Sequence, residues 1–159
     1  MSMTKVDHGH DLFRLVYASR AVLPVLARFD AAVGEILESA RRNNEQTGVS
    51  GVLVAHRGWF IQALEGPRRN VSLIFSTIGR DPRHGQIEVL DAGAIAERRL
   101  GRWSMCAMSI TSNTAPVLRA VGLAPDFDPF QMSGAMALEL MAVLSRTAGA
   151  STVEMSKAS

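Results

Sequence analysis

The chain has 159 residues, 47% of them apolar, and a formal net charge of +2, which suits one compact domain with a small appendage and argues against a dedicated nucleic-acid surface. The single cysteine, Cys106, excludes an internal disulfide framework and a multi-cysteine zinc site, so the expected setting is reducing and cytoplasmic. No apolar run approaches the ~20 residues that span a bilayer, and Met1 to His8 lacks the hydrophobic stretch of a signal peptide.

Residues 1–10 are polar and expected to be flexible. Leu12 to Ser19 reads as a first strand. From about Leu26 to Asn44, Val33, Ile36, Leu37 and Ala40 fall at helical spacing, and Asn44 lies close to the same face, so this helix should end with an amide pointing inward. Gly48 to His56 and Trp59 to Glu65 read as two strands joined by a tight turn at Arg57-Gly58. Gly66-Pro67 opens a second helix with Val71, Ile74, Phe75 and Ile78 on one face, and Asp81-Pro82 ends it. Gln86 to Asp91 and Trp103 to Ile110 add two strands.

The order βαββαβ plus one strand predicts an α+β, ferredoxin-like sandwich with two helices on one face of the sheet. Ala135 to Arg146 is helical and apolar nearly all round, relieved mainly by Glu139 and Ser145. Such a helix must bury more than one side; it is expected to cover the other face of the sheet and leave a remainder for a partner or a second copy. Residues 148–159 read as a disordered tail.

Within this frame Gln62 stands out. It interrupts the apolar strand Trp59-Phe60-Ile61-Gln62-Ala63-Leu64, and a buried carboxamide left unsatisfied costs about 1 to 3 kcal/mol. Strand alternation lets Tyr17, Gln62 and the pair Trp103-Met105 face the two helices, where Asn44 also ends. Singly, each has an ordinary reading: Tyr17 and Trp103 as core aromatics, Met105 as core filler, Gln62 as an edge residue facing water. Convergence of a phenol, two amides, an indole and a thioether on one cleft is what those readings explain poorly.

Ordinary catalysis finds little support. His8 and His10 lie in the loose start, His56 flanks a turn, and Cys106 has no base beside it, so neither an enzyme nor a metal site is expected. A flavin-free interaction or RNA-binding module is the alternative, since RNA binders of this topology stack bases on strand aromatics. That reading needs Tyr17 and Phe60 on an open face.

Five stretches carry a specific resemblance over about Leu12 to Ile110: Leu15-Val16-Tyr17-Ala18-Ser19, Asn43-Asn44 with Gly48-Val49-Ser50-Gly51, Phe60-Ile61-Gln62-Ala63-Leu64-Glu65-Gly66-Pro67, Asp81-Pro82-Arg83-His84, and Trp103-Ser104-Met105. In this order and spacing the chain resembles a BLUF domain, a flavin-binding sensor of blue light. The resemblance implies noncovalent FAD, with FMN or riboflavin as substitutes, held between Ile36 and Ile78. It further implies that Asn44 bonds the pyrimidine edge, with Asn43, Asp81, Arg83 and His84 around the ring edge and ribityl chain.

It also implies that Tyr17 yields an electron and a proton through Gln62, that the Gln62 amide ends rotated or tautomerised, and that the signal leaves through Trp103 and Met105. Residues 11–111 would be the sensor and 112–147 a helical extension that contacts a signalling protein, such as a cyclic-di-nucleotide enzyme or a transcription regulator. Two departures from the pattern are Ala40, where relatives often carry serine, and Thr77, where a basic residue is common.

Overall fold

The structure is a computed structural model that describes residues 11–22, 28–100, 106–110, 115–124, 126–146 and 152–153. Its elements are β1 (Leu12–Ala21), α1 (Phe29–Thr47), β2 (Ser50–His56), β3 (Trp59–Pro67), α2 (Arg68–Gly79), β4 (His84–Ala94), β5 (Cys106–Ser109), α3 (Ala115–Ala120), a single 3-10 turn at Pro129–Gln131, α4 (Gly134–Arg146) and β6 (Thr152–Val153). The strands form one sheet in the order β4-β1-β3-β2-β5-β6. The first four are antiparallel to their neighbours, the ferredoxin-like arrangement expected, and β5 joins β2 in parallel.

Side-chain alternation divides the core in two. Leu15, Tyr17, Leu53, Ala55, Phe60 and Leu64 face α1 and α2 with Leu37 and Val71. Val16, Val52, Val54, Ile61 and Ala63 face the opposite way and pack with Leu138, Leu140, Met141 and Leu144 of α4. Ile61 is fully buried in the central strand, between two packed layers. We expect Ile61→Ala to cost about 2 to 5 kcal/mol, read as a lower urea midpoint at constant m-value. A loss under about 1 kcal/mol would contradict this packing.

The β2–β3 hairpin follows its turn chemistry. Arg57 and Gly58 both have positive φ, 48° and 83°, the two-residue geometry whose twist matches the flanking strands. β4 is longer than Gln86 to Asp91 and irregular: Val16 pairs with Asp91 and Tyr17 with Val89, so Leu90 is an extra residue beside Tyr17. A bulge of this kind bends the strand locally and is over-represented next to functional sites.

Several expectations need correction. β1 continues to Ala21, and α1 runs from Phe29 to Thr47, capped by Gly48 in the left-handed region at φ 69°. The loop before α4 contains α3 and the 3-10 turn, where Asp128 accepts from the Phe130 N–H. In α4, Glu139 and Ala135 are exposed while the large apolar side chains Leu138, Leu140, Met141 and Leu144 are buried. The helix thus covers the sheet face opposite α1 and α2, as expected. Thr152–Val153 pairs antiparallel with β5, so the stretch read as a disordered tail holds two paired residues. Trp103, Met105 and the expected flexible residues 1–10 lie outside the described residues. Among the described residues no helix is long and apolar enough to cross a membrane.

Candidate functional site

A cavity of about 420 Å³ lies between the sheet and the two helices α1 and α2, within the range that takes small-molecule cofactors. Tyr17 of β1, Leu53 of β2, and Phe60 and Gln62 of β3 form its floor. Ile36, Ala40, Asn43 and Asn44 line it from α1, Ile74, Thr77 and Ile78 from α2, and Asp81, Arg83 and His84 from the turn into β4. The structure thus gathers Tyr17, Ile36, Asn43, Asn44, Gln62, Ile78, Asp81, Arg83 and His84 around one space.

The centre of the site is a buried pair. Tyr17 and Gln62 sit opposite each other across the β1–β3 ladder, each 2% exposed, and the Tyr17 hydroxyl donates to Gln62 Oε1. Burial, with a smaller contribution from the charge of Asp81, pushes the phenol far above its ordinary pKa. Tyr17 therefore does not ionise in its resting state at neutral pH, and its proton stays on the bond to Gln62. Phe75 lies against the Tyr17 ring at 5.5 Å between centroids.

His84 is fixed from both ring nitrogens. Nε2 lies 2.9 Å from the Ile78 carbonyl oxygen, which can only accept, so Nε2 carries the proton. Nδ1 lies at hydrogen-bond distance, 2.8 Å, from the hydroxyl of fully buried Ser19. This places the imidazole edge against Tyr17 and Phe60. Ser19 is a site residue that the sequence reading passed over; only its alternation with Tyr17 on β1 hinted at it.

Asp81 and Arg83 form a forked pair, with Arg83 Nε 2.9 Å from Asp81 Oδ1 and Nη2 2.6 Å from Oδ2, and the Arg83 N–H also donates to Oδ1. Partial burial works to raise the Asp81 carboxyl, but the side-chain and backbone hydrogen bonds from Arg83 and its charge outweigh it and hold the carboxyl below its ordinary value. A carboxyl depressed in the folded state stabilises the fold above its unfolded pKa of about 3.9 and loses that contribution as pH falls through the folded value. We expect stability to fall more steeply below about pH 4 in the native chain than in Asp81→Asn, measured as urea midpoint against pH. Parallel curves would contradict the pairing.

The donor set suits a flat, polar-edged aromatic cofactor: aliphatic walls from Ile36, Ile74 and Ile78, and amides from Asn43, Asn44 and Gln62. An isoalloxazine ring has this chemistry, an apolar benzenoid body and a pyrimidine edge that both donates and accepts. The aromatic floor is covered by the two helices, with Tyr17 and Phe60 buried, which removes the open platform that base stacking on RNA needs.

Comparison with known proteins agrees with this chemistry. The family model described as sensors of blue-light using FAD, BLUF, matches residues 12–106. The photoactivated adenylate cyclase subunit beta of Euglena longa is 31% identical over 116 residues, covering 72% of this chain and 13% of the relative. The blue light- and temperature-regulated antirepressor BluF of Escherichia coli K12 is 37% identical over 73 residues, covering 46% of this chain and 18% of the relative. The chain thus spans less than a fifth of the length of these curated relatives. The dark-state structure of BlrB, a BLUF protein, superposes with a TM-score of 0.67 at 33% identity, covering 87% of this chain and 98% of that one. A buried phenol–amide pair in an amide-lined cavity, a ferredoxin-like sheet and a family match over residues 12–106 place this chain in the BLUF family of blue-light flavin photoreceptors.

Proposed function

We propose that this chain is a blue-light receptor that binds FAD noncovalently, carries out its light chemistry with Tyr17 and Gln62, and passes the result to a signalling partner. The observation that carries this reading is the buried hydrogen bond from Tyr17 to Gln62 at the floor of a cavity lined by amides. When bound and excited, the flavin supplies a strong one-electron oxidant.

Tyr17 is the electron donor. Its phenol is neutral at rest, and losing an electron makes its proton strongly acidic, so the proton leaves along the existing bond to Gln62. Electron and proton both return to Tyr17, so no net oxidation remains. What persists is the orientation or tautomer of the Gln62 amide, whose exchangeable donor and acceptor ends present a different pattern to the cavity. Asn44 would bond the polar edge of the cofactor, Ile36 and Ile78 would flank its faces, and Asn43, Asp81, Arg83 and His84 would line the ring edge and ribityl chain.

No catalytic role is assigned to these residues beyond this photochemistry. Residues 11–111 constitute the sensor, Trp103 and Met105 the exit route, and 112–147 the part that meets the partner, within a cytoplasmic protein. The relatives named above are a cyclase and an antirepressor, which favours a cyclic-nucleotide enzyme or a transcription regulator as that partner. The test is reconstitution: apo-protein titrated with FAD, FMN and riboflavin should take up one equivalent and quench flavin fluorescence. Failure to take up any of the three would overturn the proposal.

A further inference from the structure

Glu65 is 0% exposed, yet it carries a carboxylate on the sheet face away from the cavity. Its partners explain how that is tolerated. Arg14 of β1 reaches it with Nε and Nη2, both at 2.7 Å, and the backbone N–H groups of Arg99 and Leu100 donate to it at 2.9 and 2.6 Å. A buried charge is affordable when its lone pairs are filled in this way. The result fastens the connection after β4 to the end of β3, three residues beyond Gln62.

The neighbouring Arg98 reaches the opposite way. Its Nη2 donates to the Gly48 carbonyl at 2.7 Å and its Nη1 to Ser50 Oγ at 3.2 Å. Gly48 is the C-cap of α1, whose last turn holds no basic residue, so Arg98 places the cation that a helix C-terminus favours. The same end of α1 is drawn onto β3 at Gly66, where an added Cβ would lie 3.0 Å from the Gly48 oxygen. Asn70 of α2 ties in the adjacent Thr47 carbonyl at 2.7 Å. The Gly48 and Val49 N–H groups return to the carbonyl of Asn44, a cavity-lining amide.

We propose that residues 98–100 form a clasp that closes the seam between the C-terminal end of α1 and β3, and that Glu65 and Arg98 are positioning residues for the flavin site. The inference rests on the flavin reading above. The clasp holds α1, with Asn43 and Asn44, at a fixed distance from the strand that carries Gln62. Opening it lets the helix rock away from the sheet, loosening the cofactor's polar edge and easing the return of Gln62 to its resting state.

The test compares native chain, Arg98→Ala and Arg98→Lys, with Glu65→Gln as a second site on the clasp. Arg98 is at the surface end of the network, so its loss leaves the core intact. In apo-protein, amide hydrogen exchange at Gly48 and Val49 should quicken about tenfold in Arg98→Ala and recover in part in Arg98→Lys, which keeps the charge but not the fork. With FAD added, affinity should fall about fivefold to tenfold, the scale of one charge-assisted hydrogen bond partly coupled to binding, and dark recovery of the light-induced shift should quicken. Unchanged exchange in Arg98→Ala overturns the clasp. Quickened exchange with native FAD affinity and recovery overturns the positioning role, and quickened exchange in a chain whose native form takes no FAD leaves the clasp standing while refuting the flavin reading.

Discussion

Tyr17→Phe is expected to keep its flavin and lose its light response. The ring stays, so packing against Phe75 and the edge of His84 is retained, and the cavity loses only one hydroxyl. What goes is the donor to Gln62 Oε1 and with it the only proton on this bond. Phenylalanine is also far harder to oxidise than a phenol, so both electron and proton are lost to the photochemistry. The spectral shift should vanish rather than shrink, while bound flavin stays near one equivalent. A normal shift in this variant would show that another residue supplies the electron.

Gln62→Leu should have the same spectral outcome for a different reason, since the donor survives and the switchable amide is gone. Its cost to stability should be larger. Leucine fills the volume, but the fully buried Tyr17 hydroxyl then loses its acceptor, a penalty of about 1 to 3 kcal/mol. Removing both partners relieves it, so Tyr17→Phe/Gln62→Leu should be more stable than the sum of the single losses predicts. A coupling energy of about 1 kcal/mol in this cycle would match a direct buried bond, and additivity within about 0.3 kcal/mol would contradict one.

The fold was legible where local chemistry decided it. Alternation placed Tyr17 and Gln62 on the helix-facing side of β1 and β3, helical spacing turned Asn44 inward, and Arg57-Gly58 marked the hairpin. The site read well because its residues violate the local rule: an amide inside an apolar strand must be answered by something. The remaining misjudgements concern tertiary context. Residues 115–120 and 129–131 form short helical pieces held by packing and by the Asp128 cap, which a Pro- and Asp-rich stretch does not announce. The bulge at Leu90 likewise depends on pairing with β1.

Glu65 shows the limit most clearly. Its place in the strand was visible and its alternation put it opposite Gln62, but a lone glutamate near a strand end ordinarily faces water. Its donors come from Arg14, fifty-one residues away, and from backbone groups at 99 and 100. No local pattern encodes such a partnership. The same holds for His84, whose anchoring by Ser19 requires β1 and β4 to be neighbours.

The central claim is that blue light rewrites the Tyr17–Gln62 hydrogen bond without net redox change. The visible absorption spectrum of the flavin-loaded protein, taken before and immediately after blue illumination and then followed in the dark, tests it most directly. The account predicts an oxidised flavin band that moves to the red and returns without added oxidant. A band that bleaches to reduced flavin, or does not move at all, would contradict it.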